Sequence, residues 1–291
     1  MLSEGVAVCY MKRLIVNADD FGLHTEINKG IVKGHKEGFI TSTSLMPSAP
    51  AFEEAVNLAK DCPKLGIGIH LTLVGGVSTC TSTDKVSSLV NSKGLFLDNY
   101  IEFSKRYYTG GVKKYELELE LRSQIEKALG TGLKITHIDS HQHTHVLPGV
   151  NNIVIKLCEE YGIKKLRVPQ EPYTFSGGFT TGIGRFVGRA GLSFCAQILA
   201  AKLDNSYKYP DCFFGMLAGG NLNEQLVANI LKALPEGTSE IMTHPGLSNK
   251  ILGNVFSWNY HWEQELGAYL SKNNHRLLEE YKIKLINFGE L

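Results

Sequence analysis

Short apolar runs alternate with amphipathic stretches along nearly the whole chain, and this alternation limits the fold more than any other feature. Leu14-Ile15-Val16 and residues 39–46, 65–73, 165–169, 239–243 and 284–288 read as strands, as does the run that begins at Thr136. Residues 27–36, 51–60, 113–129, 151–161, 185–203, 223–234 and 262–281 read as helices. The clearest of these is 113–129, where Leu117, Leu121, Ile125 and Leu129 recur at i, i+4 and Gly130 and Gly132 mark the stop. Strand and helix in repeated alternation predict an α/β fold: a parallel sheet with covering helices, closed or nearly closed as a (β/α) barrel. Two segments fall outside the pattern. Residues 75–111, rich in Ser, Thr and Gly, read as an excursion that carries substrate contacts. Residues 210–221, with Phe213 and Phe214 among glycines, read either as lining or covering a cleft or as placing the two phenylalanines in ordinary core.

A chain of 291 residues fits one α/β barrel. We expect residues 11–291 to form a single domain and 1–10, which precede the first core strand, to be a dispensable extension. A formal net charge of +1 gives no reason to expect nucleic acid or an anionic membrane as partner. The 6 cysteines are scattered without paired spacing, which argues against a thiolate metal site or a disulfide framework and suits a reduced cytoplasm. The start lacks the basic and apolar regions of a signal peptide, and no apolar run has the length of a membrane span.

Thr136 to Val146 holds His137, Asp139, His141, His143 and His145, all at odd positions. In an extended strand these would share one face. Successive members would stand about 6.6 Å apart at ~3.3 Å per residue, so one or two can meet a single ion and the others need different work.

The remaining polar interruptions fall in one topological place. Asp19 and Asp20 follow the first strand, His70 lies near the end of the third, Arg167 follows the histidine run and His244 ends a later strand. In a parallel barrel such positions converge on the carboxyl-end face, where ligand sites are built. Each residue alone has an ordinary explanation: a cap or turn for the carboxylates, a satisfied core imidazole for His70, a surface ion pair with Glu171 for Arg167. Together they would require an unrelated reason at every strand end to bury an ionisable group. One carboxylate with two imidazoles makes a facial N/N/O metal site with open positions, and a second carboxylate beside it is placed to take a proton from water.

The motifs Asn17-Ala18-Asp19-Asp20-Phe21-Gly22, Gly68-Ile69-His70-Leu71, Thr136-His137-Ile138-Asp139-Ser140-His141-Gln142-His143 and Thr243-His244-Pro245-Gly246 resemble, in order, those of the YdjC family of carbohydrate deacetylases. The resemblance implies a distorted parallel barrel akin to the polysaccharide deacetylases. It implies one divalent metal, magnesium or zinc before manganese or cobalt, held by Asp20, His70 and His141. It further implies Asp19 as general base, Arg167 and His244 in the active site, and a homodimer. We expect Asp139 and His143 to stand behind the ligands, Asp139 orienting or charging a neighbouring histidine. Gln142 and Thr144 stand where relatives often carry His and Val. The expected function is hydrolysis of a linear amide C–N bond, removing acetate from an N-acetylated amino sugar. A barrel metal phosphoesterase and a non-catalytic sugar-binding or regulatory protein are the rivals.

Overall fold

Residues 12–291 are described by a computed structural model; the expected extension at 1–10 lies outside them. The chain runs through β1 (Lys12–Phe21), α1 (Thr25–Lys36), β2 (Ser42–Leu45), α2 (Phe52–Lys60) and β3 (Gly66–Leu71). It continues with α3 (Tyr100–Tyr108), α4 (Lys114–Leu129), β4 (Ile135–Ser140), α5 (Val150–Glu160), α6 (Ile183–Ala200), β5 (Cys212–Phe214) and α7 (Glu224–Ala233). Then come β6 (Gly237–Thr243), α8 (Asn249–Val255), α9 (Trp262–Leu270), α10 (Lys272–Glu280) and β7 (Lys284–Leu285).

All pairings between these strands are parallel, in the order β4-β3-β2-β1-β6-β5, with β7 beside the start of β1. Single-residue bridges, Ile138 with Leu166 and Lys165 with Lys208, carry β4 round toward the approach to β5. The sheet therefore curls into a distorted (β/α) barrel with its weakest seam at 165–167. The sequence suggested a full strand at 165–169. Only bridges form there, because Pro169 has no N–H to extend a ladder and the Arg167 side chain is drawn inward to buried carboxylates.

β1 is central and closed to water on both faces, which is why Leu14-Ile15-Val16 reads as a continuous apolar run. Helices α1, α2, α7, α9 and α10 cover one core, which includes Leu14, Val16, Phe52, Leu231 and Tyr269. A second core, with Ile69, Leu71, Leu121 and Leu157, lies under α4 and α5. Burial of each such side chain contributes about 1.5–3 kcal/mol.

Three elements depart from the sequence reading. The strand through Thr136 ends at Ser140, and His141–Val146 coil into a tight 3₁₀ turn in which Gln142 (φ 50°) and His143 (φ 56°) are left-handed. The shared face is thus limited to His137 and Asp139. The helix expected over 262–281 is two helices, broken where Ser271 takes an extended ψ of 124° and its hydroxyl accepts from the Asn274 amide. The excursion at 75–111 contains α3 and is fastened to α4: Glu116 accepts from Ser88, Glu120 from Cys80 and Thr81, and Gln124 exchanges two bonds with the Thr72 backbone. No helix among the described residues is long and apolar enough to cross a membrane.

Candidate active site

Neighbouring side chains on a strand point to opposite faces, so Asp19 and Asp20 should diverge. They do not, because the pairing of β1 with β2 shifts register between Ala18 and Phe21 and Asp20 sits at φ 68°. Aspartate tolerates the left-handed region better than most residues, and the bulge turns its carboxylate back toward the site. His70 Nε2 then lies 3.5 Å from Asp20 and 4.0 Å from Asp19.

Asp139 meets the other nitrogen of His70, Nδ1, at 2.8 Å, which fixes the ring so that Nε2 faces the two aspartates. Burial disfavours a charged His70, yet Asp139 and Asp19 outweigh it and raise its pKa to about 10. His141 Nδ1 is 2.9 Å from Asp20 Oδ1. Burial raises the Asp20 pKa, but His141 and His70 more than reverse this and hold the carboxyl well below its usual range.

The ligand atoms of Asp20, His70 and His141 lie within 4.8 Å of one another. Asp20 Oδ2 is buried without a hydrogen-bond partner. A carboxylate with one oxygen facing two imidazoles and the other buried and bare suits a divalent cation. Asp19, His70 and Asp139 are equally close together, but the oxygens of Asp19 and Asp139 are already engaged by a guanidinium, so the first set fits better.

That guanidinium is Arg167, which is fully buried. Nη1 and Nη2 each donate to an oxygen of Asp19 at 2.7 Å, Nη1 also stands 2.8 Å from Asp139, and Nε donates to Glu240 at 2.7 Å. Burial pushes the Glu240 carboxyl up to about 8 against the pull of Arg167, while Asp139, despite burial, is held low by Arg167 and His70. Asn17 donates to Asp19 and to Ser44, and Ser44 donates to Asp139, so the network ties β1, β2 and β4 together. Glu171 has no part in it; it accepts the backbone N–H groups of Gly215, Met216 and Leu217.

His244 ends β6 across the cleft. Its backbone N–H donates to Glu265 at 2.5 Å and its Nδ1 stands 3.8 Å from the same carboxylate. Burial opposes charge on this ring, but Glu265, with Asp20 and Asp19, raises its pKa above the ordinary value. His143 lines the cleft without touching Asp20, His70 or His141; it packs on Phe213 with ring centroids 5.7 Å apart, and burial keeps it neutral.

The cleft has a volume of about 420 Å³, with Asp19, His70, His141 and His244 exposed to it. Its walls include Tyr100 from α3, Arg185 from α6, and Trp258 and Tyr260. Phe213 and Phe214 are 0% and 2% exposed and do not line it, because pairing of β5 with β6 buries both. Met216 and Gly219 are what segment 210–221 contributes.

The sequence reading passed over Glu240, Glu265, Ser44, Trp258 and Tyr260. Glu240 had a signal, a lone charge inside the apolar run of β6. The alternation Phe256, Trp258, Tyr260, Trp262 was another.

The model of the family described as YdjC-like protein matches residues 13–280. The chain belongs to the YdjC-like family. This YdjC-like chain is 35% identical to a carbohydrate deacetylase of Brevibacillus brevis, over 96% of its own length and 99% of the relative's. It is 32% identical to a carbohydrate deacetylase of Clostridium beijerinckii, over 96% of its own length and 100% of the relative's. Among solved structures it is similar to a candidate cellobiose-phosphate cleavage protein of Enterococcus faecalis, with a TM-score of 0.77 at 26% identity, covering 96% of this chain and 98% of that one.

Proposed function

We propose that the chain is a metal-dependent carbohydrate deacetylase, a hydrolase that cleaves the linear amide of an N-acetylated amino sugar to acetate and the free amine. The observation that carries this reading is the division of labour between adjacent carboxylates. Asp20 turns Oδ1 toward His70 and His141 and keeps a buried Oδ2 without a partner, while Arg167 holds Asp19 by both oxygens. The relatives named carbohydrate deacetylase support it over their full length.

In this reading Asp20, His70 and His141 hold one divalent cation, magnesium or zinc before manganese or cobalt. The ion supplies a Lewis acid for the acetyl carbonyl and for an attacking water. Arg167 fixes the rotamer of Asp19, which accepts a proton from that water as its oxygen bonds to the acyl carbon. His244, whose affinity for a proton Glu265 raises, gives that proton to the amide nitrogen as the C–N bond breaks. Proton return from Asp19 to His244 through solvent resets the site. Asp139 orients His70, and His143 supplies a neutral wall.

Metal content per chain, followed by acetate release from a panel of N-acetylated sugars, tests the reading. One bound divalent ion and release from at least one sugar are expected. Turnover of phosphate esters without acetate release would make the protein a phosphoesterase, and binding of sugars with no turnover of either class would make it a silent binder.

A further inference from the structure

We propose that Tyr260 is a catalytic hydrogen-bond donor whose phenol O–H meets the acetyl oxygen as negative charge gathers there. The inference deepens the deacetylase reading and rests on it for the identity of the acyl group.

Placement is the first reason. Tyr260 lines the same cleft as Asp19, His70, His141 and His244. Its ring lies 5.0 Å from that of His244 and 5.5 Å from that of Trp258, which in turn is 5.6 Å from His141. The Tyr260 ring thus sits beside the group assigned to protonate the amine and, through Trp258, next to the side of the cleft that holds the proposed cation ligands.

Rigidity is the second. Tyr260 is packed between Trp258 and Trp262, the latter at 5.7 Å. On its other side it rests directly on Gly220, where an added Cβ would come within 2.2 Å of the ring. The His261 amide donates to the Gly220 carbonyl at 2.7 Å and locks the strap to that turn. A donor held in place before charge develops costs no reorganisation when it is used.

A free donor is the third. No hydrogen bond ties the Tyr260 hydroxyl to another described residue, and unlike the orphaned Tyr269 hydroxyl it is not sealed in the core. Tyr260 is only partly buried and lines the cleft. Burial, together with Asp20, Glu265 and Asp19, raises the phenol well above its usual range, so it keeps its proton at any working pH. Tyr260 therefore gives a hydrogen bond without giving up the proton. The proton balance of the reaction stays with Asp19 and His244.

Tyr260→Phe keeps the ring and its packing on His244 and removes only the donor. We expect kcat on the best N-acetylated sugar to fall about 10²-fold, the scale seen for loss of one oxyanion donor. The Michaelis constant should change less than about threefold, with metal content and melting temperature unchanged. A kcat within about threefold of the parent, with only Tyr260→Ala impaired, would reduce Tyr260 to a prop for His244 and overturn the proposal. If the parent releases acetate from no sugar, the deacetylase reading fails, and the donor is judged by binding of acetate itself to the metal-loaded protein. Binding about 10-fold weaker in Tyr260→Phe sustains a donor to a carboxyl oxygen in the cleft; equal binding removes it.

Discussion

Arg167 and Asp19 meet in a bidentate pair, two hydrogen bonds of 2.7 Å between groups almost wholly closed to water. Such a pair fixes the plane as well as the position of the carboxylate. Asp20, its neighbour in sequence, has no contact with Arg167 and is turned toward His70 and His141 by its left-handed backbone. Two chemically identical side chains are thereby given different surroundings.

Exchange of each for its amide should separate them. Asp20→Asn should weaken metal binding by about 10- to 100-fold, and excess metal should restore part of the activity. Asp19→Asn should retain the ion and lose about 10²- to 10⁴-fold in kcat, with no recovery on adding metal. Metal analysis and steady-state kinetics decide; an Asp19→Asn protein that emerges metal-free would reverse the assignment of the two residues.

Glu240 shares Arg167 with Asp19 and Asp139, and its carboxyl is pushed up to about 8 by burial and by those two neighbours. The same group in an unfolded chain titrates near ~4.3. Between these values the folded protein holds a proton that the unfolded chain has released, so this group's contribution falls as pH rises through the window. Glu240→Gln should remove that decline. Relative to the parent, its melting temperature should gain steadily from pH 5 to pH 8; a difference independent of pH would mean that Glu240 is ionised throughout.

His137 and His145 act with the opposite sign. Burial lowers their pKa values to about 3 and about 4, and the rings are used uncharged, His137 stacked on Phe288 at 3.7 Å and His145 bridging Ser140 and the Arg167 carbonyl. In the unfolded chain both take protons near ~6.5. Stability should therefore begin to fall as pH drops below about 6.5, before the carboxylates titrate. His137→Phe keeps an aromatic ring on Phe288 and should give a shallower acid limb in denaturant titrations run from pH 7 to pH 4. An unchanged limb would show that His137 is not a source of it.

The histidines and aspartates of the site were legible because strands that are otherwise apolar seldom end in ionisable groups without a use for them. That reasoning reached Asp19, Asp20, His70, Asp139, His141, Arg167 and His244, which the fold gathers around one cleft. It could not reach Glu265, which lies on α9, far along the chain from the end of β6, and meets His244 only through packing. Nor could it foresee φ 68° at Asp20, since a strand is assumed to alternate until something breaks it. The left-handed turn after His141 was likewise invisible: it takes His143 off the strand face that parity suggested, yet leaves it in the cleft wall. Phe213 and Phe214 were left between cleft and core because a glycine-rich neighbourhood looks mobile; their fixed β6 neighbours across the sheet put them in the core. The helix break at Ser271 left no trace in an apolar pattern that continues across it.

The excursion at 75–111 offers the last test, because it has little sheet or helix of its own and depends on α4. Glu116, Glu120 and Gln124 follow one another at i, i+4 and all three are buried polar groups, an arrangement that would be costly in an ordinary core. Each is matched to backbone: Glu120 alone takes the amides of Cys80 and Thr81 at 2.9 Å each and the Gln124 side chain at 2.8 Å. Glu120→Ala would take the acceptor from two half-buried backbone amides, at about 1–3 kcal/mol for each that water does not reach. We expect a melting temperature lower by several degrees and faster hydrogen exchange at Cys80 and Thr81. Glu120→Gln, which keeps one acceptor oxygen, should lose less. The proposed metal ligands lie on β1, β3 and the turn after β4, so metal content should be unaffected, while Tyr100, carried by the excursion into the cleft wall, should make the Michaelis constant rise. Loss of metal together with stability would show that α4 supports the barrel itself and not only the segment laid over it.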